Sequence, residues 1–327
     1  MTALVLRRLV PLPLVLLVAS VLVFALPRLT GADVTRSVLR ARVSADVPDA
    51  ATQARVAVEF GLDASAPVQY LRWLGAALRG DLGLGFVSRE PVSEQVGAAL
   101  AVSGLLTVLA LGLAALVGVP AGVYAASRPG GLLDRAVGVL GVAGVAVPEF
   151  VLAPWLILVF AVGAGALPAL GWGGPQHVVL PVLTLAVYPA ALAAQLVRAE
   201  TVDVLTRAHV PVARAKGLTA RRVLWRHGAR LATTSVTSLS GMFVAGLLGG
   251  SVVVEVVFGI PGLGWLLYDA VLARDLPVIQ AGTLALVAVA VLAGVLVELA
   301  GLAADPVARS REVARSREVA RSRETAS

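Results

Sequence analysis

The chain has 327 residues, of which 58% are hydrophobic and only 14% are charged, and its formal net charge is +7. Soluble domains are about half apolar and about a quarter charged, so this composition excludes an ordinary soluble domain and indicates a membrane protein. The chain has no cysteine for disulfides or thiolate metal sites, and its three histidines are too scattered to suggest a metal cluster, so we expect no cofactor.

Six apolar runs are long enough to cross a hydrocarbon core about 30 Å thick. They predict an all-α polytopic membrane protein with six transmembrane helices, at approximately residues 10–26, 98–126, 136–162, 178–197, 232–257 and 278–304. An arginine pair precedes the first run, as in a signal peptide, but the run ends in LPRLTG without a small-residue cleavage site. We therefore expect an uncleaved first helix.

The arginines predict the orientation of these spans. If the N-terminus is cytoplasmic, the cytoplasmic side carries Arg7, Arg8, Arg128, Arg135 and the basic stretch of residues 209–230. The short outer connections, 163–177 and 258–277, then contain only Arg274. This asymmetry is what the positive-inside rule requires, so both termini are predicted to be cytoplasmic. Arginines that face the cytoplasm and anionic lipid account for the positive charge, and we expect no nucleic-acid partner.

The long connection of residues 28–97 is predicted to be an extracytoplasmic helical loop. Its segments AATQARVAVEFGL and APVQYLRWLGAALRG have helical apolar spacing, and Gly80 is placed to end the second helix. The domain organisation that follows is a first transmembrane helix (1–27), the helical loop (28–97), a five-helix core (98–304) with a cytoplasmic loop at 199–231, and a tail (305–327). The tail repeats VARSRE three times, which is too short and too charged to bury a core.

Residues 209–230, HVPVARAKGLTARRVLWRHGAR, have two interpretations. Their positive charge alone is explained by a loop that only fixes topology. However, Pro211 suits a first helical turn, Gly217 suits a helix end, and Thr219 can cap a second helix. In that second helix an inward stripe is predicted at Val223, Leu224, His227 and Leu231. The pattern favours a compact helix–glycine–helix knuckle, whose small side chains would allow it to enter a groove on a partner.

The segment ARAKGLTARRVLWRH resembles the cytoplasmic loop of ABC-transporter permeases of the dipeptide/oligopeptide/nickel class. Gly217 takes the place of the glycine in that family's EAA motif, whereas Pro211 and Val212 depart from it, and the family's leucine–proline after the basic run is replaced by RLATTSV. Other matching segments are RRLVPLPLVLLVASVLVFAL, GLDASAPVQYLRWLGAALRGDLGLGF, SREPVSEQVGAAL, GGSVVVEVVFGIPGLGWLLYDAVLARDLPVIQAG and DPVAR. Their order resembles the first permease of the pair, which has a long outer loop after helix one.

The resemblance implies a non-catalytic subunit of an importer in the bacterial cell membrane. Its expected partners are a second homologous permease, two cytoplasmic ATP-binding subunits, an extracytoplasmic solute-binding protein and membrane lipid. It also implies a coupling helix that contacts the ATPase through Ala213, Arg214, Ala215, Lys216, Gly217 and Leu218. For Arg214 and Lys216 the alternative is a plain topology signal. Members of such a family carry peptides, nickel chelates and other small solutes, and the sequence does not choose among these.

Polar residues within the apolar runs are candidates for a translocation pathway. A carboxylate at this depth is costly and is expected to face the bundle interior or water, which makes Glu149, Gln195 and Glu255 candidates. For Glu149 the alternative is a polar crevice where Pro148 and Pro154 break the helix, and for Glu255 the open roles are a gate and helix packing. Arg274 and Asp275 follow an amphipathic segment and are expected to be exposed to a binding protein or an outer vestibule, unless 258–277 is only a packing loop.

Three other functional classes compete with the importer. The chain lacks the phosphate-binding pattern GxxxxGK[ST] and any nucleophile or metal constellation, which argues against catalysis. The rival is a secondary carrier driven by an ion gradient, which predicts internal repeats and paired ionisable residues in the membrane. We see no clear repeat, and Glu149 is nearly alone. A membrane-anchored scaffold would not need six spans and a helical knuckle.

Overall fold

The structure of the chain is a computed structural model, which describes residues 10–29, 64–206, 219, 224 and 230–304. In these ranges the protein is helical, and Leu84 and Pro91 form an isolated bridge. The helices are α1 (Pro11–Leu29), α2 (Ala66–Ala77), α3 (Val92–Ser127), α4 (Leu132–Ala146), α5 (Glu149–Leu156), a π-helix (Ile157–Gly163), α6 (Pro175–Thr206), α7 (Arg230–Phe258), α8 (Leu263–Ala273) and α9 (Leu276–Ala304). The predicted all-α class is therefore confirmed for the part of the chain that the structure describes.

Three of the helices are long and apolar enough to cross a membrane: Val92–Ser127, Pro175–Thr206 and Leu276–Val297. Two bent pairs, α4 with α5 and its π-helix, and α7 with α8, raise the number of candidate spans to five if each pair is one span. The described apolar part of α1, Leu12–Ala25, is shorter than a full span. These counts cover the described residues, and they support a multi-pass membrane protein.

The third predicted span is not one continuous helix. The chain leaves helical geometry at Val147 and Pro148, because the residue before a proline is driven towards extended backbone. Pro154 then lies inside α5, where it can donate no backbone hydrogen bond, and the helix widens into the π-helix from Ile157. The predicted third span is therefore broken at Pro148, which was the alternative given for Glu149, and α5 begins at Glu149 after this break.

The long connection of residues 28–97 contains the helix α2, as the spacing in APVQYLRWLGAALRG predicts. Gly80 has a φ of +82°, a left-handed conformation that glycine adopts without steric cost, so its predicted role after the helix end is confirmed. Tyr70 of α2 lies 2.8 Å, oxygen to oxygen, from the buried hydroxyl of Ser20 on α1, and its ring packs edge-on against Phe24. The predicted helix at AATQARVAVEFGL lies outside the described residues.

The chain divides into two compact units. Unit 1 comprises Met1–Leu109, Glu149–Leu185 and Gly246–Val291. Its core is formed by apolar side chains of α3, α8 and α9, namely Val92, Val96, Ala99, Leu263, Ala270, Val278 and Ala281. Gly282 of α9 allows this packing, since a β-carbon there would lie 2.8 Å from Cδ2 of Leu267 on α8. The short helix α8 is therefore packed against two long helices.

Unit 2 comprises Ala110–Pro148, Ala186–Ala245 and Leu292–Ser327. One buried cluster joins Val123 of α3, Val197 of α6 and Leu224, and a second joins Ala125, Val137 and Ala194 of α3, α4 and α6. Leu224 is 7% exposed, which confirms its predicted place on the inward stripe of the basic stretch. The other members of that stripe lie outside the residues whose side chains the structure describes.

Candidate functional sites

The six residues predicted to contact an ATPase, 213–218, lie outside the described residues. Arg198, which directly precedes the loop 199–231, is described. Its guanidinium donates two hydrogen bonds to the carboxylate of Asp134 in the first turn of α4: Nε to Oδ1, and Nη2 to Oδ2 at 3.0 Å. The backbone N–H of Gly130 donates to Asp134 Oδ2 at 2.8 Å. One carboxylate therefore joins α6 to the turn between α3 and α4.

Glycines bring α3 and α6 into backbone contact beside this ion pair. A β-carbon at Gly118 would lie 2.7 Å from the carbonyl oxygen of Ala190, and one at Gly122 would lie 2.5 Å from that of Ala194. Since main-chain atoms cannot swing aside, both positions require glycine in this arrangement. Small residues at such interfaces are typical of helix packing in membranes, where close approach replaces the hydrophobic driving force.

Gln195, a candidate for the translocation pathway, lies in the same unit against α4. Its half-buried side chain covers Gly141, because a β-carbon at Gly141 would lie 2.9 Å from Cδ of Gln195. One turn further along α4, a β-carbon at Gly144 would lie 2.9 Å from Cβ of Ala191. Gln195 therefore packs over a glycine surface of α4.

Glu255 lies at the end of α7 and is fully buried. Its Oε1 accepts hydrogen bonds from the hydroxyls of Ser103 at 2.7 Å and Ser251 at 2.8 Å, and its Oε2 accepts the backbone N–H of Trp265 at 2.9 Å. The oxygen of Ser103 in turn accepts the backbone N–H of Leu263 at 2.7 Å. Glu255 and Ser103 thus satisfy N–H groups of the first turn of α8, where a helix has free donors and favours negative charge.

The chain turns by 75° between α7 and α8, and the glycines of GIPGLG make room for the carboxylate inside this turn. A β-carbon at Gly262 would lie 2.5 Å from Oε2 and 2.7 Å from Oε1 of Glu255. A β-carbon at Gly264 would lie 2.5 Å from the Cα atom of Val252 on α7. These contacts enclose Glu255 between packed helices, and they favour helix packing among the roles that the sequence left open.

Asp275 follows α8 and is 3% exposed, so the expectation that it is exposed was wrong. Its Oδ1 and Oδ2 accept the backbone N–H groups of Phe86 and Val87, both at 3.0 Å. The carboxylate is buried because it binds a turn of the connection 28–97, which lies nearly 190 residues earlier in the chain. Arg274 is exposed, as expected, and ends α8 in a left-handed conformation with a φ of +57°.

Glu149 is the first residue of α5 and is half-buried. A carboxylate in this position is stabilised by the free N–H groups of the helix N-terminus. It faces bare backbone on α7, since a β-carbon at Gly250 would lie 3.6 Å from its Oε2. Glu149 and Glu255 therefore differ in accessibility. Part of the surface of Glu149 is accessible, whereas Glu255 has no accessible surface.

Comparisons with known proteins decide the family. Residues 118–309, more than half of the chain, match the family model described as binding-protein-dependent transport system inner membrane component. The chain belongs to this family. The permease is 37% identical to the glutathione transport system permease protein GsiC of Escherichia coli K12, over 93% of this chain and 98% of the relative. It is 38% identical to the GsiC protein of Salmonella paratyphi A and 37% identical to that of Shigella flexneri, with the same coverage.

These findings identify the chain as the permease component of a binding-protein-dependent ABC transport system, as the resemblance predicted. Such a component implies a solute-binding protein and ATPase subunits as partners, and its relatives are themselves permease proteins. The matched region contains both Asp134 and Arg198 and the turn between α7 and α8.

Sequence reasoning missed the groups that pair with the candidate residues of the permease. Ser103, Ser251 and Asp134 were not singled out, although each is a polar residue within or beside an apolar run. The available signal for the first two was GIPGLG next to a glutamate, since clustered glycines mark a place where another group comes close. For Asp134 the signal was an acid at one predicted cytoplasmic helix end and Arg198 at another.

Proposed function

We propose that this permease lines half of a translocation pathway for small peptides, paired with a second homologous permease and driven by two cytoplasmic ATP-binding subunits. The observation that carries the proposal is the similarity to GsiC permeases over 93% of this chain and 98% of theirs. A match over the whole length includes the segments that meet partners. The relatives are named for glutathione transport, and glutathione is a tripeptide, so small peptides are the substrate class that this similarity favours.

The proposed topology has six spans in the bacterial cell membrane, with both termini in the cytoplasm and the loop of residues 28–97 outside. The arginine asymmetry and the five candidate spans together with α1 support it. Because the chain has no cysteine, single cysteines introduced at Ser127 and Arg274 can be labelled in intact cells with a membrane-impermeant maleimide. We expect labelling at 274 in intact cells and at 127 only after permeabilisation. The reverse pattern would contradict the orientation.

The coupling contact is proposed for residues 213–218, with Gly217 ending the short helix that enters the ATPase. The argument is the string ARAKGL and the attachment of the neighbouring Leu224 to the helices of unit 2. Replacement of Arg214 and Lys216 by alanine is expected to weaken ATPase binding in co-purification. Replacement of Arg128 and Arg135 removes the same charge from another predicted cytoplasmic segment and serves as the matched control. Equal losses of ATPase binding in the two double variants would indicate that the charges of the loop act only as a topology signal.

For the pathway, the accessible carboxylate of Glu149 is the stronger candidate, with Gln195 second. Glu255 is proposed to act on the pathway only through the position of α8, because its carboxylate is enclosed by hydrogen-bond donors. Replacement of Glu149 by glutamine keeps the shape of the side chain and removes its charge. We expect a raised KM for cationic or zwitterionic peptides and an unchanged KM for neutral blocked ones.

The deciding experiment uses the assembled transporter in proteoliposomes, with its own solute-binding protein added to the outside. We expect ATP-dependent uptake of labelled small peptides, including glutathione, that stops when the binding protein is omitted. Uptake that persists without ATP but collapses with a protonophore or a sodium ionophore would instead establish the rival secondary carrier. Uptake that is saturated by a nickel chelate and not by peptides would support the importer assignment but show that its substrate is a nickel chelate.

A further inference from the structure

The loop that is proposed to meet the ATPase begins at a fixed point. Arg198 is the residue before that loop, and two of its three guanidinium nitrogens, Nε and Nη2, donate to the carboxylate of Asp134. The planar guanidinium matches a carboxylate in this paired geometry, which restricts orientation as well as distance. Asp134 is 8% exposed and Arg198 is 37% exposed, so the pair is partly withdrawn from solvent. A single-point contact would let α6 rotate about its axis, whereas this contact does not.

The same carboxylate fixes the turn between α3 and α4. Gly130, which donates its N–H to Asp134, has a φ of +79° and lies in that turn, and Gly131 closes it by donating to the carbonyl of Arg128 at 3.0 Å. Three donors from two segments therefore converge on Asp134. A shift of α6 at Arg198 would pull on α4 and on the end of α3 together.

Helix packing behind the ion pair leaves little room for α6 to move alone. Gly122 of α3 packs against the backbone of α6 at Ala194 and Arg198, and Gly144 of α4 packs against Ala191 of the same helix. Interfaces packed this closely have discrete arrangements and do not deform gradually. The part of α6 next to the loop is thus held by α3 on one side and by α4 on another.

The loop is attached a second time at Leu224. This side chain is buried in a cluster with Val123 and Val197, and it is flanked by Val119 and Leu205. The chain therefore leaves α6 after Thr206, beyond the point that Arg198 fixes, and contacts the same helices again at Leu224. A force on the loop between Arg198 and Leu224 would therefore act on the same packed group of helices at both attachments.

From this geometry we propose that Asp134 and Arg198 are positioning residues for coupling. They hold α3, α4 and α6 together as one body, so that movement of the cytoplasmic loop moves all three helices. The inference rests on the proposed contact between the loop and an ATPase, and it adds the helices to which the movement is delivered. Without the ion pair, helix packing alone would connect α6 to α3 and α4, so less of the loop's movement would reach these helices and more ATP would be hydrolysed per peptide transported.

The test measures ATP hydrolysed per peptide transported by the assembled complex in proteoliposomes. Asp134→Asn and Arg198→Ala are expected to assemble and to raise this ratio by about two- to thirty-fold. This fold-change corresponds to the coupling free energies that are typical of mutations along packed networks. Arg135→Ala removes the same charge from an exposed neighbouring position and should leave the ratio unchanged. A ratio unchanged in the first two variants, or raised equally in the third, would overturn the proposal.

A covalent link in place of the ion pair distinguishes two roles. The pair either holds the helices together throughout the transport cycle or opens in each cycle. The chain has no cysteine, so Asp134→Cys combined with Arg198→Cys provides a unique pair for a short bifunctional thiol reagent. We expect an uncoupled complex before cross-linking and a ratio near the wild-type value after it. Cross-linking that stops transport would show that the pair must open in each cycle, and cross-linking that leaves the complex uncoupled would show that the pair does not position these helices. Either result overturns the proposal.

Failure of the proposed function gives a different result. If the wild-type permease binds no ATPase or transports without ATP, the ratio has no meaning and the importer assembly itself is wrong. If the wild type transports with ATP and the variants transport at the same cost, only the role of the ion pair is wrong. If Arg198→Ala fails to assemble, the cross-linked double-cysteine variant decides the proposal: it must restore both assembly and coupling, and any other result overturns the role.

Discussion

The hydroxyl of Ser103 donates to Glu255 Oε1 across 2.7 Å, and its oxygen also accepts the N–H of Leu263 across 2.7 Å. Both Ser103 and Glu255 are fully buried. One small side chain of α3 therefore orients the carboxylate at the end of α7 and caps the first turn of α8. The position of α8 depends on this contact, because the first N–H groups of a helix have no partners in their own helix, and Ser103 and Glu255 supply acceptors for two of those in α8.

Replacement of Ser103 by alanine should destabilise the permease. It removes one donor from a buried carboxylate and leaves the N–H of Leu263 without its acceptor, and each unsatisfied buried group costs about 1–3 kcal/mol. Thermal unfolding in detergent should show a clear loss of stability. Ser127→Ala is the matched control on the same helix, since Ser127 is exposed and its hydroxyl donates only to Tyr124 in its own helix. Equal transition temperatures for the two variants would contradict the assigned role.

The two glycines of the α7–α8 turn should respond differently to removal of Glu255. Gly262→Ala places a β-carbon against the carboxylate of Glu255, whereas Gly264→Ala places one 2.5 Å from the backbone of Val252. Both should destabilise by about 1–3 kcal/mol through overpacking. In a protein that already carries Glu255→Ala, the loss of stability caused by Gly262→Ala should largely disappear, while the loss caused by Gly264→Ala should remain. Unfolding midpoints of the single and double variants form a double-mutant cycle that measures this coupling. An unchanged loss of stability for Gly262→Ala in the Glu255→Ala background would contradict the predicted contact.

Asp275→Asn should loosen the turn that contains Phe86 and Val87 in the connection 28–97. The carboxylate accepts both N–H groups, but an amide offers one oxygen and would direct its NH₂ group at the other donor. Hydrogen exchange at residues 86 and 87 is expected to accelerate without a change in the packing of α3 and α9. Arg274→Ala is the control, because Arg274 is exposed and adjacent. Faster exchange in the control and not in Asp275→Asn would reverse the assignment.

Local signals made the helices and some of their ends predictable. The apolar runs are long, Gly80 has the left-handed geometry of a helix end, and Leu224 shows helical spacing that led correctly to burial. These features depend on residues within a few turns of one another. The class of protein followed from the same apolar runs and from the string ARAKGL, and the family match confirmed it.

The errors came from contacts between distant parts of the chain. Asp275 looked exposed because its neighbours are Arg274 and a helix end, but its partners are at Phe86 and Val87. The role of Glu255 stayed open because Ser103 lies 152 residues away. A single sequence contains no record of such pairs. The break at Pro148 stayed open as an alternative, since membrane helices tolerate proline and only packing decides whether the chain bends there.

A last prediction concerns the glycines of α3. Gly122→Ala should destabilise the permease by about 1–3 kcal/mol, because the new methyl group would lie 2.5 Å from the carbonyl oxygen of Ala194 and 2.9 Å from the backbone nitrogen of Arg198. Gly112→Ala in the same helix has no described neighbour within 4 Å of the added carbon, and alanine favours a helix over glycine by about 1 kcal/mol. It should therefore be neutral or stabilising.

Thermal unfolding of the two variants tests this difference, and co-purification of the second permease adds a separate readout. Gly122→Ala should lower the unfolding temperature, because it separates α3 from α6 within this chain. Gly112→Ala should keep that temperature, so a loss of assembly in this variant alone would place its face of α3 against the second permease. Equal unfolding temperatures for both variants would contradict the close packing of α3 against α6, and with it the single body that the ion pair of Asp134 and Arg198 is proposed to hold.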